Sequence, residues 1–249
     1  MFISEVVLSW EPAVESSLYT GEDWAHPYSF LRHSEKLLSY APEKHFLIDA
    51  VSNLKRAVDH RIKHISTTYK LKKTTCYSLK KNIWDTLAEL EVIKPVMLGK
   101  LLEIRNEVEH QFSDPPSQAR CIELSEFVWY FLRSTDSISK QVSDGPYLQE
   151  SYDSPYIIYY NGNPQNEWAS TIKAHLPKEL TSPNSKADYF EVSEITVQSG
   201  HEYKLGLSKK NAPISEVLNN YHDDDLIITG QLQDTNIELW FLRLYFRTI

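Results

Sequence analysis

The longest regular run of apolar positions lies at residues 43–68. Phe46, Leu47, Ala50, Val51, Leu54, Ala57, Val58, Ile62 and Ile65 recur at i, i+3, i+4 and i+7, the stripe of an amphipathic helix. A shorter helix is predicted before it, over residues 28–40, where Phe30, Leu31, Leu37 and Leu38 keep helical spacing and Pro42 stops the run. Further on, Leu79, Ile83, Leu87 and Leu90, with Trp84 beside them, predict a helix over residues 78–92. Pro95 suits the first position of a following helix, which runs to about Phe112 before Pro115 and Pro116 break it. Residues 117–140 predict another helix, with Ile122, Phe127, Tyr130 and Phe131 facing inward. Helices joined by short connections imply an antiparallel bundle.

Asp144-Gly145-Pro146 marks a boundary. Beyond it the pattern changes to period two. Residues 156–160 predict a strand and residues 169–176 a short helix. Residues 189–197 and 203–207 flank a hairpin at 199–202, and residues 226–232 and 237–248 flank another at 234–236. In the last run Trp240, Leu242, Leu244 and Phe246 alternate with Phe241, Arg243, Tyr245 and Arg247. The second set reads either as a packed face with snorkelling arginines or as a face on which RNA bases stack. Residues 2–10 predict a further strand. The expected fold is therefore α+β: an N-terminal antiparallel four- to five-helix bundle followed by a small β-rich α+β domain. Residues 1–42 would be an arm packed on the bundle, 43–141 the bundle, and 150–249 the second domain.

Composition narrows the functions open to such a chain. Of 249 residues 41% are apolar, enough for a sizeable core, and only 7 are glycine. Neither G-x-G-x-x-G nor G-x-x-x-x-G-K occurs, which disfavours a dinucleotide or P-loop site. Cys76 and Cys121 are the only cysteines; they suit a reducing cytosol and give no zinc cluster. No apolar run approaches the roughly 18 residues of a membrane span. The opening residues lack the basic and apolar regions of a secretory signal. A cytoplasmic protein without cofactor or metal is expected, one that does not engage membranes.

The net charge of −8 conceals a division: −4 over residues 1–42, +3 over 43–141 and −7 over 142–249. The basic groups concentrate at Lys55, Arg56, Arg61, Lys63, Lys70, Lys72, Lys73, Lys80 and Lys81, with Tyr69 and Tyr77 interleaved. Such a run either holds phosphates, with tyrosines to stack bases, or is a solvated helix end. Lys72, Lys73, Lys80 and Lys81 are the candidate RNA contacts. His60 and His64 are four apart, but Arg61 stands where the zinc-protease motif needs Glu. They read as part of a solvated helix face. Asp223-Asp224-Asp225 reads as a solvated loop rather than a Mg²⁺ site.

The sharpest chemistry starts at Arg105-Asn106-Glu107-Val108-Glu109-His110. Leu98, Leu101, Leu102, Val108 and Phe112 fall on one side of the predicted helix, with Arg105 and Glu109 in the middle of that side. An arginine there needs a charge partner, which Glu109 would supply. Asn106 and His110 share a flank. Arg105 and His110 are roughly 140° apart around the axis. They meet only if the arginine bends across or a second copy of the helix supplies half of the site.

Arg, Asn, three residues and His, near the end of the third helix of a helical block, resembles the HEPN family (higher eukaryotes and prokaryotes nucleotide-binding domain). That family's motif is Arg, four to six residues, His. The resemblance covers residues 43–141. It implies a metal-independent endoribonuclease acting on RNA, with a composite site where two subunits bring these helices together. His110 would move protons, Arg105 would stabilise charge on the phosphoryl group, and Asn106 would orient His110 or bond a phosphate oxygen. The products would be 2′,3′-cyclic phosphate and 5′-OH ends. Relatives of this kind act as toxins or in antiviral defence, often with a neutralising or regulatory protein partner. Some bear Tyr two positions beyond the His; Phe112 stands there in this chain. Two alternatives stay open. One is a non-catalytic homodimeric interaction module in which Arg105–Glu109 is a structural pair. The other is an RNA-binding adaptor that uses the basic run.

Overall fold

The computed structural model describes residues 1–14, 17–40, 43–110, 114–143, 145–200 and 223–248; the side chains of residues 17, 19, 97, 98, 102, 105, 107–110 and 248 lie outside that description. The chain divides into two compact units, Leu18–Val142 and Met1–Ser17 with Ser143–Thr248.

The first unit is helical. It contains α1 (Pro27–Leu38), α2 (Lys44–Thr68), α3 (Thr75–Lys80), α4 (Ile83–Glu89), α5 (Pro95–His110), α6 (Gln118–Ser134) and α7 (Asp136–Lys140). The 43–68 stripe holds: Leu47, Ala50, Val51, Leu54, Ala57, Val58, Ile62 and Ile65 are all buried on α2. Helices α1, α5 and α6 pack on it. Leu38, Leu47, Ala50, Val51 and Cys121 form one buried cluster, with Leu37 and Ile104 against it. Burying one such leucine contributes about 1.5–3 kcal/mol.

Two helices differ from their predicted course. The helix expected over 78–92 is two helices. Lys81 turns left-handed at φ 56° and ends α3, and the Asn82 side chain then accepts from the Trp84 N–H at 2.7 Å to start α4. The helix expected over 117–140 breaks at Thr135 into α6 and α7. Its inward face is also set differently. Cys121, Leu124, Val128, Phe131 and Leu132 are buried, whereas Ile122 and Tyr130 are exposed.

The second unit is built on an eight-stranded antiparallel sheet in the order β2-β5-β6-β7-β10-β9-β1-β8. Its strands are β1 (Phe2–Ser4), β2 (Glu11–Val14), β5 (Pro146–Gln149), β6 (Ile157–Tyr160), β7 (Thr171–Leu176), β8 (Thr181–Ser182), β9 (Tyr189–Ser199) and β10 (Leu226–Leu232). A separate two-stranded ladder joins β3 (Ser17–Tyr19) to β4 (Gln141–Ser143). In the middle of the large sheet Ile228 of β10 lies opposite Ala174 of β7 on one side and Val197 of β9 on the other. The β10–β9 register shifts between Thr229 and Gln231. Gly230 sits in that shift, where an added Cβ would come within 2.5 Å of Val192 Cγ1. Helix α8 (Thr235–Thr248) packs on β2, β5 and β10, with the Phe241 ring stacked on Tyr160 at 5.0 Å.

The expected plan, a helical bundle followed by a small β-rich domain, is therefore corrected. The sheet is large and takes strands from both sides of the helical segment: β1 pairs with β8 and β9, and β2 pairs with β5. A helix stands within the sheet unit as well. Residues 237–248, expected as a strand of a hairpin, are helix α8. Asp234 Oδ1 accepts from the Asn236 N–H at 2.7 Å and the Ile237 N–H at 3.4 Å, a helix start rather than a hairpin turn. Residues 169–176, expected as a helix, give strand β7, which is paired on both edges by β6 and β10. Of the predicted 199–202 hairpin and its 203–207 strand, residues 201–207 lie outside the described residues.

Candidate nucleic-acid interface

Helix α2 ends at Tyr69, and the chain turns sharply there. Lys70 takes the left-handed conformation, φ 45°, and a short 3-10 helix follows at Leu71–Lys73. Two anchors hold the turn. Tyr69 is fully buried and its hydroxyl donates to the Gln141 carbonyl at 2.7 Å; Leu71 is fully buried. With Tyr69 and Leu71 turned inward, Lys70, Lys72 and Lys73 are left at the surface. They join Ser66 and Thr67, from the last turn of α2, around an open cleft of about 320 Å³. Three ammonium groups and two hydroxyls make an environment for an anion, and lysine binds phosphate as a mobile point charge.

Lys72 and Lys73 both line this cleft. Lys80 and Lys81 are exposed at the end of α3 and do not line the cleft. Lys80 forms an ion pair with Glu89 at 2.8 Å, and that carboxylate raises the lysine's pKa. Tyr69 is withdrawn from base stacking by its burial, which also pushes its phenol pKa well above the usual value.

Arg105, Asn106 and His110 all lie on α5, which is helical from Pro95 to His110. Asn106 is exposed. The side chains of Arg105, Glu109 and His110, and all of Phe112, lie outside the described residues, and with them the Arg105–Glu109 pair and the Arg105–His110 geometry.

The buried arginine that the structure does describe is Arg61. It is fully buried, on the apolar stripe of α2. One terminal nitrogen, Nη1, donates to the Leu132 carbonyl, Thr135 Oγ1 and Ser139 Oγ at 3.0, 3.0 and 3.1 Å. The other, Nη2, donates to the Trp24 carbonyl at 3.1 Å and to Asp136 Oδ1 at 3.0 Å. Nε has no partner among the described residues. Asp136 Oδ2 also accepts from the Tyr28 hydroxyl at 3.0 Å and from Arg133 Nη1 at 3.4 Å. Burial and then the Asp136 carboxylate raise the Tyr28 pKa. This network ties α2 to α6 and α7, so the reading of Arg61 as part of a solvated basic face is corrected.

The two helix histidines do not converge. His64 Nε2 contacts the Ser139 carbonyl at 3.0 Å. The His60 ring stacks on His26 at 4.9 Å; partial burial, then His26 and Lys63, lower its pKa. Among the described residues no group of three His, Cys, Asp or Glu side chains is placed to hold a metal.

In the sheet unit, Asp225 is a buried residue and not part of a solvated loop. Its Oδ2 lies 2.8 Å from His175 Nε2 and its Oδ1 accepts from the Tyr156 hydroxyl at 3.2 Å. Asp223 and Asp224 are exposed. Of the arginine-bearing set once open to RNA stacking, Phe241 and Tyr245 are fully buried. Phe241 lies against Tyr160, and the edge of Tyr245 against Trp168. No base can reach them, which removes the stacking reading and leaves the packed face.

No helix among the described residues is long and apolar enough to cross a membrane. Comparison with family models, with curated proteins and with solved structures gives no match to this chain.

Proposed function

We propose that the helical unit binds RNA through its phosphates and cleaves it without a metal. The observation that supports the reading is the lysine cleft. Ser66, Thr67, Lys70, Lys72 and Lys73 gather at the end of α2, in the same compact unit as the Arg105-to-His110 segment of α5. The cleft supplies affinity through charge. It brings no aromatic ring to its lining, so it takes the backbone and leaves the sequence unread.

The chemistry rests on the HEPN-like order of residues on α5. RNA carries its own nucleophile. His110 takes the proton of the 2′-OH, whose oxygen attacks the adjacent phosphorus. The 5′-oxygen then leaves with a proton from water, giving a 2′,3′-cyclic phosphate and a 5′-OH, and His110 returns its proton to solvent. Arg105 balances the charge that grows on the phosphoryl oxygens, and Asn106 holds His110 or a phosphate oxygen. Helical periodicity puts positions 105 and 110 roughly 140° apart, so a composite site would draw on two chains. A toxin or defence effector held in check by a protein partner is the setting that the resemblance suggests.

The test is cleavage of a mixed RNA pool in EDTA by the wild type and by His110→Ala. Chelator-resistant cleavage with cyclic phosphate ends, lost in His110→Ala, sustains the enzyme. The same cleft favours one other reading, an RNA-binding adaptor. That reading predicts binding without cleavage, unaffected by His110→Ala and weakened by Lys72→Glu with Lys73→Glu. For single-stranded RNA, removing one lysine–phosphate pair lowers the slope of log affinity against log salt by about 0.7.

A further inference from the structure

Helix α6 turns Cys121, Leu124, Val128, Phe131 and Leu132 into the core. Its other side carries Ile122, Glu126, Trp129, Tyr130 and Arg133, all exposed. Ile122 is 43%, Trp129 41% and Tyr130 65% exposed, although Trp129 and Tyr130 are the kind of residue that proteins usually cover. The face is ordered by its own contacts. The Trp129 and Tyr130 rings meet edge to face at 5.0 Å, and the Arg133 guanidinium lies 5.8 Å over the Trp129 ring. Tryptophan, tyrosine and arginine are the residues that most often dominate the energetics of protein contacts.

The order of residues on this face says what covers it. Positions 126 and 133 are symmetric about the midpoint between 129 and 130, and they carry opposite charges. Reversing the helix therefore puts a glutamate where an arginine was, and the aromatic pair onto itself. We propose that α6 pairs with α6 of a second copy of this chain, antiparallel, about a two-fold axis between Trp129 and Tyr130. Such a contact is isologous and closes after two copies. Four aromatic rings meet at its centre, and Glu126 of each copy faces Arg133 of the other. At 1.5 Å of rise per residue the two charge pairs stand about 5 Å either side of the axis, a charged rim around an apolar core. Arg133 keeps its 3.4 Å contact with Asp136, because a guanidinium has five N–H donors and can serve both carboxylates. The pairing is on α6; the α5 contact that a composite RNA site needs is a second contact between copies, and the α6 proposal does not depend on it.

Sedimentation of the full chain without RNA, at tens of micromolar, tests it. The wild type is expected at twice the chain mass. Tyr130→Glu is expected as a monomer with an unchanged melting curve, because that side chain lies mostly in solvent. Glu126→Arg sets arginine against arginine and is expected to weaken association by roughly tenfold or more. Glu126→Arg with Arg133→Glu restores opposite charges and is expected to recover the wild-type mass. Arg133→Glu also sets a carboxylate beside Asp136; if the melting curve shows the double variant unfolded, Tyr130→Glu and Glu126→Arg decide alone. A monomeric wild type overturns the proposal, and so does wild-type mass in both of those variants. Because the sedimentation runs hold no RNA, these results are separate from any failure of the cleavage assay.

Discussion

Among the described residues each unit buries an acid–base pair, and the two pairs look alike until what surrounds them is compared. Arg61 and Asp136 lie 3.0 Å apart with side chains 0% and 8% exposed; His175 and Asp225 lie 2.8 Å apart with side chains 6% and 5% exposed. A guanidinium is a permanent cation with five N–H donors and no acceptor, whereas an imidazole has two ring nitrogens to satisfy. Arg61 must therefore be met by acceptors wherever the fold takes it. The chain supplies two carbonyls, two hydroxyls and a carboxylate drawn from Trp24 and from the stretch Leu132 to Ser139. In the sheet unit the Asp225 carboxylate meets His175 Nε2 on one oxygen and the Tyr156 hydroxyl on the other. Similar distances thus hide different dependence on the partner.

Removing the carboxylates tests that difference. Asp136→Ala leaves a permanent buried cation and is expected to lower stability to urea by about 3–5 kcal/mol. Asp225→Ala removes the acceptor that faces His175 Nε2 and the Tyr156 hydroxyl, and about 1–3 kcal/mol is expected. Equal losses in the two urea titrations would break the comparison. Next in size is Tyr69→Phe, which removes the bond to the Gln141 carbonyl and should lower stability by about 1 kcal/mol. Its pH signature has a definite sign. Burial raises the Tyr69 phenol above its ordinary value of 10.0, and Tyr160 in the sheet unit likewise. The unfolded chain loses these protons first, so both contributions are full below pH 10.0 and fall as pH rises further. Urea midpoints across that range should drop less steeply in Tyr69→Phe than in the wild type. The smallest effect concerns Cys121. Its burial pushes the thiol up to about 11, so a thiol reagent at neutral pH should label it only after urea unfolds the helical unit.

Much of the helical unit was legible because its signals are local. The α2 stripe predicted Lys44–Thr68 closely, and Pro95 marked the start of α5. Arg61 carries a signal that its place in the basic run masks. It falls on the α2 stripe as Arg105 falls on that of α5, and the same reasoning applies to both. The position of Asp136, 75 residues away, was hidden because the pair forms only when α2, α6 and α7 come together. Helix α8 was misread because it is buried on nearly every side, which erases the helical period and leaves a chance alternation. Asp234 before an apolar run was the cap that pointed the right way. Strand β7 buries Ile172, Ala174 and Leu176 but also His175, so alternation fails along it. Strand β1 falls within the strand predicted over residues 2–10, which turns into a 3-10 helix at Glu5, while β2 leaves no local mark, since its pairing is decided far along the chain. In the candidate interface the lysine run was plain from charge alone. Its convergence on Ser66 and Thr67 depends on the left-handed turn at Lys70, a conformation that lysine seldom adopts and that no composition rule reveals.

The insertion of the helical unit between β2 and β5 sets an order on biosynthesis. On the ribosome β1 and β2 are made first, yet the partner of β2 is β5 and the partners of β1 are β8 and β9. At ordinary elongation rates that wait is on the order of ten seconds. Throughout it Phe2 and Ile3 have no sheet to enter, while the continuous helical segment can already collapse. The nascent chain therefore carries a finished helical unit while the strands of its sheet unit still wait for their partners.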